Sequence, residues 1–104
     1  MPLTRIPVSA LTKRGVGLKR PEDVVVSRDG HVWASDEASA CAEILPDGGL
    51  RRTGKAGGRP NGINMDRQGR ILIANFALDT AEPGGLQRLD PRTGAIETLC
   101  AEVD

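Results

Sequence analysis

The chain has 104 residues, with 14 Lys plus Arg against 14 Asp plus Glu, 13 Gly, 7 Pro and only two aromatic residues, Trp33 and Phe76. The balanced charge removes the bulk electrostatic case for a nucleic-acid or anionic-membrane partner, and no apolar run reaches the roughly 18 residues of a membrane span. The N-terminal run Met1-Pro2-Leu3-Thr4-Arg5 lacks the apolar core of a secretory signal, so a soluble, cytoplasmic, turn-rich protein is expected.

Residues 1–19 carry no visible repeat and read as an extension or outer strand. From there the sequence repeats. A shift of 39 aligns residues 20–36 with 59–75, bringing Arg20 onto Arg59, Pro21 onto Pro60, Arg28 onto Arg67 and Gly30 onto Gly69. Between those anchors apolar residues meet apolar ones, as with Val24 and Ile63, Val26 and Met65, and Trp33 and Leu72. In chain order, the β-branched run 24–26 predicts a strand, closed by Ser27-Arg28-Asp29-Gly30 as a hairpin. Strands over 31–35, 41–45 and 50–53 follow, with Pro46-Asp47-Gly48-Gly49 as a turn. The second copy predicts strands over 63–65, 71–75, 86–89 and 95–99, with Asp90-Pro91-Arg92-Thr93-Gly94 as the last hairpin. No stretch keeps a helical apolar period, so no long helix is expected.

Four short strands at a period of about 40 residues predict an all-β fold of two four-stranded antiparallel sheets, the blades of a β-propeller. Blade 1 spans 20–58 and blade 2 spans 59–104, ending in what reads as an interrupted connector, Ala101-Glu102-Val103-Asp104. Two blades do not close a ring, since roughly 4–8 are needed. The chain is therefore expected either to continue into further blades, the favoured expectation, or to self-associate through its open blade faces. Val24, Val26, Trp33, Ile63, Met65 and Leu72 are expected in or near the core.

Cys41 and Cys100 form no CxxC pair and His31 is remote from both, which argues against zinc or thiol-redox chemistry. Both are expected to be inert buried thiols. Gly15-Val16-Gly17 and Gly54-Lys55-Ala56 fail as nucleotide-binding loops. Arg51, Arg52, Lys55 and Arg59 read as a solvated face. Asp36, Glu37 and Asp79 read as loop acids, Trp33 as packing between blades and His31 as a surface residue.

The runs Arg20-Pro21-Glu22-Asp23-Val24, Gly58-Arg59-Pro60-Asn61-Gly62-Ile63 and Leu89-Asp90-Pro91-Arg92-Thr93-Gly94 resemble the senescence marker protein (regucalcin)/gluconolactonase family over residues 18–104. The resemblance implies a six-bladed propeller with a divalent cation, calcium or zinc, in its central channel, and a hydrolase that opens sugar-derived or related small-molecule lactones. It carries a metal ligand onto Glu22 and a metal or substrate contact onto Asn61. The carboxylate that serves as catalytic base would stand on a later blade, so no catalytic residue is assigned here, and the 104 residues alone, as a monomer, are expected to be inactive. Where the family pattern has Gly after the first Glu, this chain has Asp23.

Position in the repeat supports the same end of the molecule. Glu22 and Asn61 each open the first strand of a blade, while Asp36 and Asn75 each follow or end the second strand at that end. Glu carboxylate and Asn amide oxygens suit a hard cation. Asn75 and Phe76 open a lengthened loop and are candidates for substrate contact. The competing readings are that Glu22 and Asn61 merely end turns, and that the whole is a non-catalytic binding or scaffold module.

Overall fold

The computed structural model describes residues 4–77 and 84–101. Eight strands form two four-stranded antiparallel sheets, each a meander in chain order. The N-terminal sheet contains β1 (Val24–Val26), β2 (Val32–Ser35), β3 (Cys41–Ile44) and β4 (Leu50–Thr53); the C-terminal sheet contains β5 (Pro60–Met65), β6 (Ile71–Asn75), β7 (Gly85–Leu89) and β8 (Ile96–Cys100). A single 3-10 turn, Val8–Ala10, is the only helical element among the described residues. Asp79 and the terminal 102–104 lie outside the described residues.

The two copies share their turn chemistry. In the β1–β2 turn Ser27 N–H donates to His31 O at 2.9 Å and Gly30 N–H to Ser27 O at 3.0 Å. In the β5–β6 turn Asp66 N–H donates to Arg70 O at 2.8 Å and Gly69 N–H to Asp66 O at 3.2 Å. Ser27 and Asp66, which are repeat counterparts, each also accept side-chain bonds from their own turns, at His31 N–H and at Arg70 N–H. The short polar side chain substitutes for ladder partners that the turn removes.

The core lies between the two sheets. Trp33 and Cys41 of the N-terminal sheet, with Ala40 beside them, pack on Ile63, Ile71, Ile73 and Leu89 of the C-terminal sheet, and Val25, Met65 and Ile96 close the edges. Three expectations for the core need correction. Val24 and Val26 are 57% and 62% exposed, and Leu72 is only half-buried. A strand of three valines has no alternation from which to read its inward phase. The phase is set instead by pairing: Val25 lies opposite Trp33, and Trp33 faces the other sheet. Cys41 is buried as expected but Cys100 is exposed. Burial pushes the Cys41 thiol up to about 12, so it stays protonated and inert at neutral pH.

The repeat also begins earlier than the sequence comparison shows. Gly15 (φ 75°) lies against Ile44, and Gly54 (φ 80°), one repeat later, lies against Leu89 and Ile96. A Cβ on Gly15 would stand 2.9 Å from Ile44 Cδ1, and one on Gly54 would stand 3.0 Å from Leu89 Cδ1. Ile44 and Leu89 hold the same place in their sheets, each the partner of the turn-side residue of the second strand. Residues 15–19 thus enter the N-terminal sheet as 54–58 enter the C-terminal one. Arg52 donates to Gly17 O at 2.7 Å and holds that entry in place.

Candidate functional site

The strand-entry end carries Glu22 ahead of one sheet and Asn61 in the first strand of the other. Ahead of β1, Glu22 N–H and Asp23 N–H both donate to Ser35 Oγ, at 2.9 and 3.1 Å. That pair of bonds fixes the backbone from which the Glu22 side chain projects, 39% exposed. Its Oε1 pairs with Arg20 at 3.2 Å. Arg20 has a left-handed backbone (φ 49°), which is uncommon for a residue with a Cβ, and its guanidinium stacks on the Phe76 ring at 5.5 Å. Phe76 leaves β6 of the other sheet, so Arg20 joins the two sheets over the same end that carries Glu22. Asn61, the repeat counterpart of Glu22, lies in β5 and is half-buried.

Asp23 makes the second link. Its Oδ2 accepts Ile63 N–H at 2.9 Å, across the gap between sheets, while Oδ1 accepts its own strand's Val24 N–H at 2.9 Å. The pairing of β5 with β6 shifts between Pro60 and Ile63, and a bulge of this kind leaves a strand N–H without its ladder partner. The carboxylate of the neighbouring sheet supplies it. A glycine at position 23 could not do so.

Asp36 and Asn75 face inward. Asp36, expected as a solvated loop acid, is fully buried. It accepts Lys19 N–H at 2.8 Å, Ser39 O–H at 2.9 Å and the Arg52 guanidinium at 2.7 Å. Burial pushes its carboxyl upward, but Lys19, Arg52 and Ser39 together hold it below the ordinary value. Asn75 uses its whole amide in the same way. Oδ1 accepts Arg59 N–H at 2.9 Å and Ala77 N–H at 3.1 Å, and Nδ2 donates to Gly57 O at 3.0 Å and Gln87 at 3.1 Å. Both side chains strap the entry segment onto the second strand. Of the residues suggested for substrate contact, Phe76 is exposed at the surface and Asn75 is committed to the scaffold.

Two residues at this end escape a reading of single motifs. Arg20 Nη1 and Arg59 Nε are buried atoms without a hydrogen-bond partner among the described residues. Such donors are rare and point to a ligand or solvent acceptor. The signal that marks them is their identity at equivalent places in the two copies of the repeat.

The described residues do not complete a cation site. No three His, Cys, Asp or Glu side chains come together among them as a metal ion would require. Glu22 and Asn61 offer two oxygens where calcium takes 6–8, and Arg20 already neutralises Glu22.

A cleft of about 670 Å³ lies at the opposite ends of β1 and β5, between the Ser27–Gly30 and Asp66–Gly69 turns. A smaller one beside it, about 330 Å³, is bordered by His31, Trp33, Arg51 and Arg92. There His31 Nδ1 meets Glu43 at 2.5 Å, Arg51 meets Glu43 at 2.8 Å, and the Arg51 guanidinium lies 5.3 Å from the Trp33 ring centroid. Arg51, Arg52 and Lys55 are exposed, as a solvated face requires, and the guanidiniums of Arg51 and Arg52 in addition engage the buried carboxylates of Glu43 and Asp36. The His31 bond holds Glu43 below its ordinary range, and Glu43, then Asp29, raise His31.

The chain matches no protein-family model and no curated protein. No described helix is long and apolar enough to cross a membrane.

Proposed function

We propose that the two sheets are adjacent blades of a β-propeller, and that the end where β1 and β5 begin is part of the ligand face of a lactonase-like hydrolase acting on sugar-derived lactones. The observation that carries this reading is the equivalence of Glu22 and Asn61. Both are polar residues at the mouths of first strands, one repeat apart, on sheets packed face to face. The reading gains support from Arg20 and Arg59, whose unpartnered N–H groups suit the oxygens of a polyhydroxyl ligand, and from Phe76, which offers an apolar wall against a ring face.

In this reading Glu22 and Asn61 are two of several ligands to a divalent cation, calcium or zinc, with the remaining ligands on further blades. A cation there would supply Lewis-acid polarisation of a lactone carbonyl. The chain's own contribution is positional. Ser35 fixes the Glu22 backbone, Arg20 orients its carboxylate, and Asp23 locks the two strand entries in register.

Calorimetric titration with calcium, and separately with zinc, tests the reading on a complete assembly of blades, as wild type and as Glu22→Gln. The wild type is expected to bind and the variant to bind more weakly, since the substitution removes the only charged ligand of the pair. Equal affinity would reject Glu22 as a ligand. A second reading, a non-catalytic binding module, is favoured by the inward commitment of Asp36 and Asn75; it predicts sugar-lactone binding with no cation dependence.

A further inference from the structure

Each sheet buries one face against its neighbour and turns the other outward. The C-terminal sheet buries Ile63, Met65, Ile71 and Leu89 among others. Their repeat counterparts on the N-terminal sheet, Val24, Val26, Val32 and Ile44, are all on its outward face, by the shift of 39 and by strand register. The converse also holds. Trp33, Cys41 and Glu43, buried on the N-terminal sheet, correspond to Leu72, Leu86 and Arg88 on the outward face of the C-terminal sheet.

So each outward face repeats the face that the other sheet buries. Even the ion pair is repeated with its signs exchanged: Glu43 with Arg51 inside, Arg88 with Glu97 outside. On the outward faces Leu86 and Leu99 are 42% and 43% exposed on one side and Val24 and Val26 are exposed on the other, while Ala34 and Ala42 are buried and residues 15–18 pack on Ile44 and Leu50. Exposed apolar surface of this kind marks an association site.

We propose that a second copy of this chain docks head to tail, its outward N-terminal sheet seated on the outward C-terminal sheet of the first, in the stagger already seen within one molecule. The contact needs only the repeat and not the hydrolase reading. It is heterologous, so it propagates until the rotation closes a ring.

One segment must yield. Residues 11–14 precede Gly15 as β4 precedes Gly54, so they occupy the place where the neighbour's β8 would run. They are exposed throughout and can move aside.

Light scattering on the wild type and two variants tests the contact. Val26→Asp damages one face and Leu86→Asp the other, and each leaves the core between the sheets intact. The wild type is expected to form a discrete oligomer, and each variant alone a folded monomer. An equimolar mixture of the two variants is expected to form a 1:1 heterodimer, because one undamaged pair of faces survives. A monomeric wild type, aggregates of no fixed mass, or a variant that self-associates through like faces would each overturn the proposal. Should either variant fail to fold by circular dichroism, Val24→Asp and Leu99→Asp serve in its place. Removal of residues 2–14 is expected to leave association as tight or tighter; its loss would refute the arrangement.

Discussion

A carboxylate taken wholly out of water is costly unless charge and hydrogen bonds meet it, and at Asp36 they do. Three donors converge on it from the entry segment, the β2–β3 turn and β4. Asp36→Asn keeps an acceptor for Lys19 N–H but loses the charge facing Arg52. Because Arg52 is 41% exposed and regains solvent, the expected cost is about 1–2 kcal/mol in urea unfolding. The lowered Asp36 carboxyl sets a direction with pH. Its contribution is present above the ordinary aspartate value of 3.8 and is lost as pH falls through the folded-state value. His31 acts in the opposite sense. Its raised value means the stabilisation is full below the ordinary 6.5 and fades as pH rises through the folded-state value. Thermal unfolding across pH should therefore show stability declining as pH rises above 6.5 in the wild type, and a flatter limb over that range in His31→Gln. An unchanged limb would mean that the His31–Glu43 bond contributes nothing.

At the scale of elements, the entry loops are where substitution costs most. Gly54 packs against Ala40, Leu89 and Ile96, and its φ of 80° disfavours any other residue. Gly30 also has a positive φ, but a Cβ there meets nothing within 4 Å. Gly54→Ala should lower the melting temperature clearly more than Gly30→Ala, because steric overlap adds to the same backbone strain; equal losses would show that the close packing is immaterial. The strands themselves were legible from sequence, since Gly-centred turns and β-branched runs fix their places to within a few residues. Which face of β1 turns inward was not, because Val24-Val25-Val26 offers no contrast. The burial of Asp36 was not legible either, as its partners come from positions 19, 39 and 52. Glu22 and Asn61 could be paired across the repeat, as could Arg20 and Arg59, but the unpartnered buried nitrogens of the two arginines show only in the structure.

The molecule as a whole is held by one layer of side chains between two sheets. Ile71, Ile73 and Leu89 are fully buried there, and removing most of such a side chain costs about 2–5 kcal/mol. Ile73→Ala should accordingly bring chemical unfolding close to native conditions, with both sheets lost together, because the main core among the described residues is shared between them. Circular dichroism should show a β spectrum that disappears in a single transition. Separate melting of the two sheets would contradict a shared core.

The bond from Asp23 to the Ile63 amide bears on how the chain keeps this arrangement. At that amide the β5 entry takes its acceptor from the N-terminal sheet, so the bond exists only while the two sheets are packed together. The bond thereby couples two otherwise similar sheets across the gap between them. In hydrogen exchange the Ile63 amide should be freed only by the same opening that releases Trp33, and in Asp23→Gly it should exchange at the rate of a local fluctuation. A glycine at this place would leave the sheets as neighbours that can slip; the aspartate makes them a single cooperative unit.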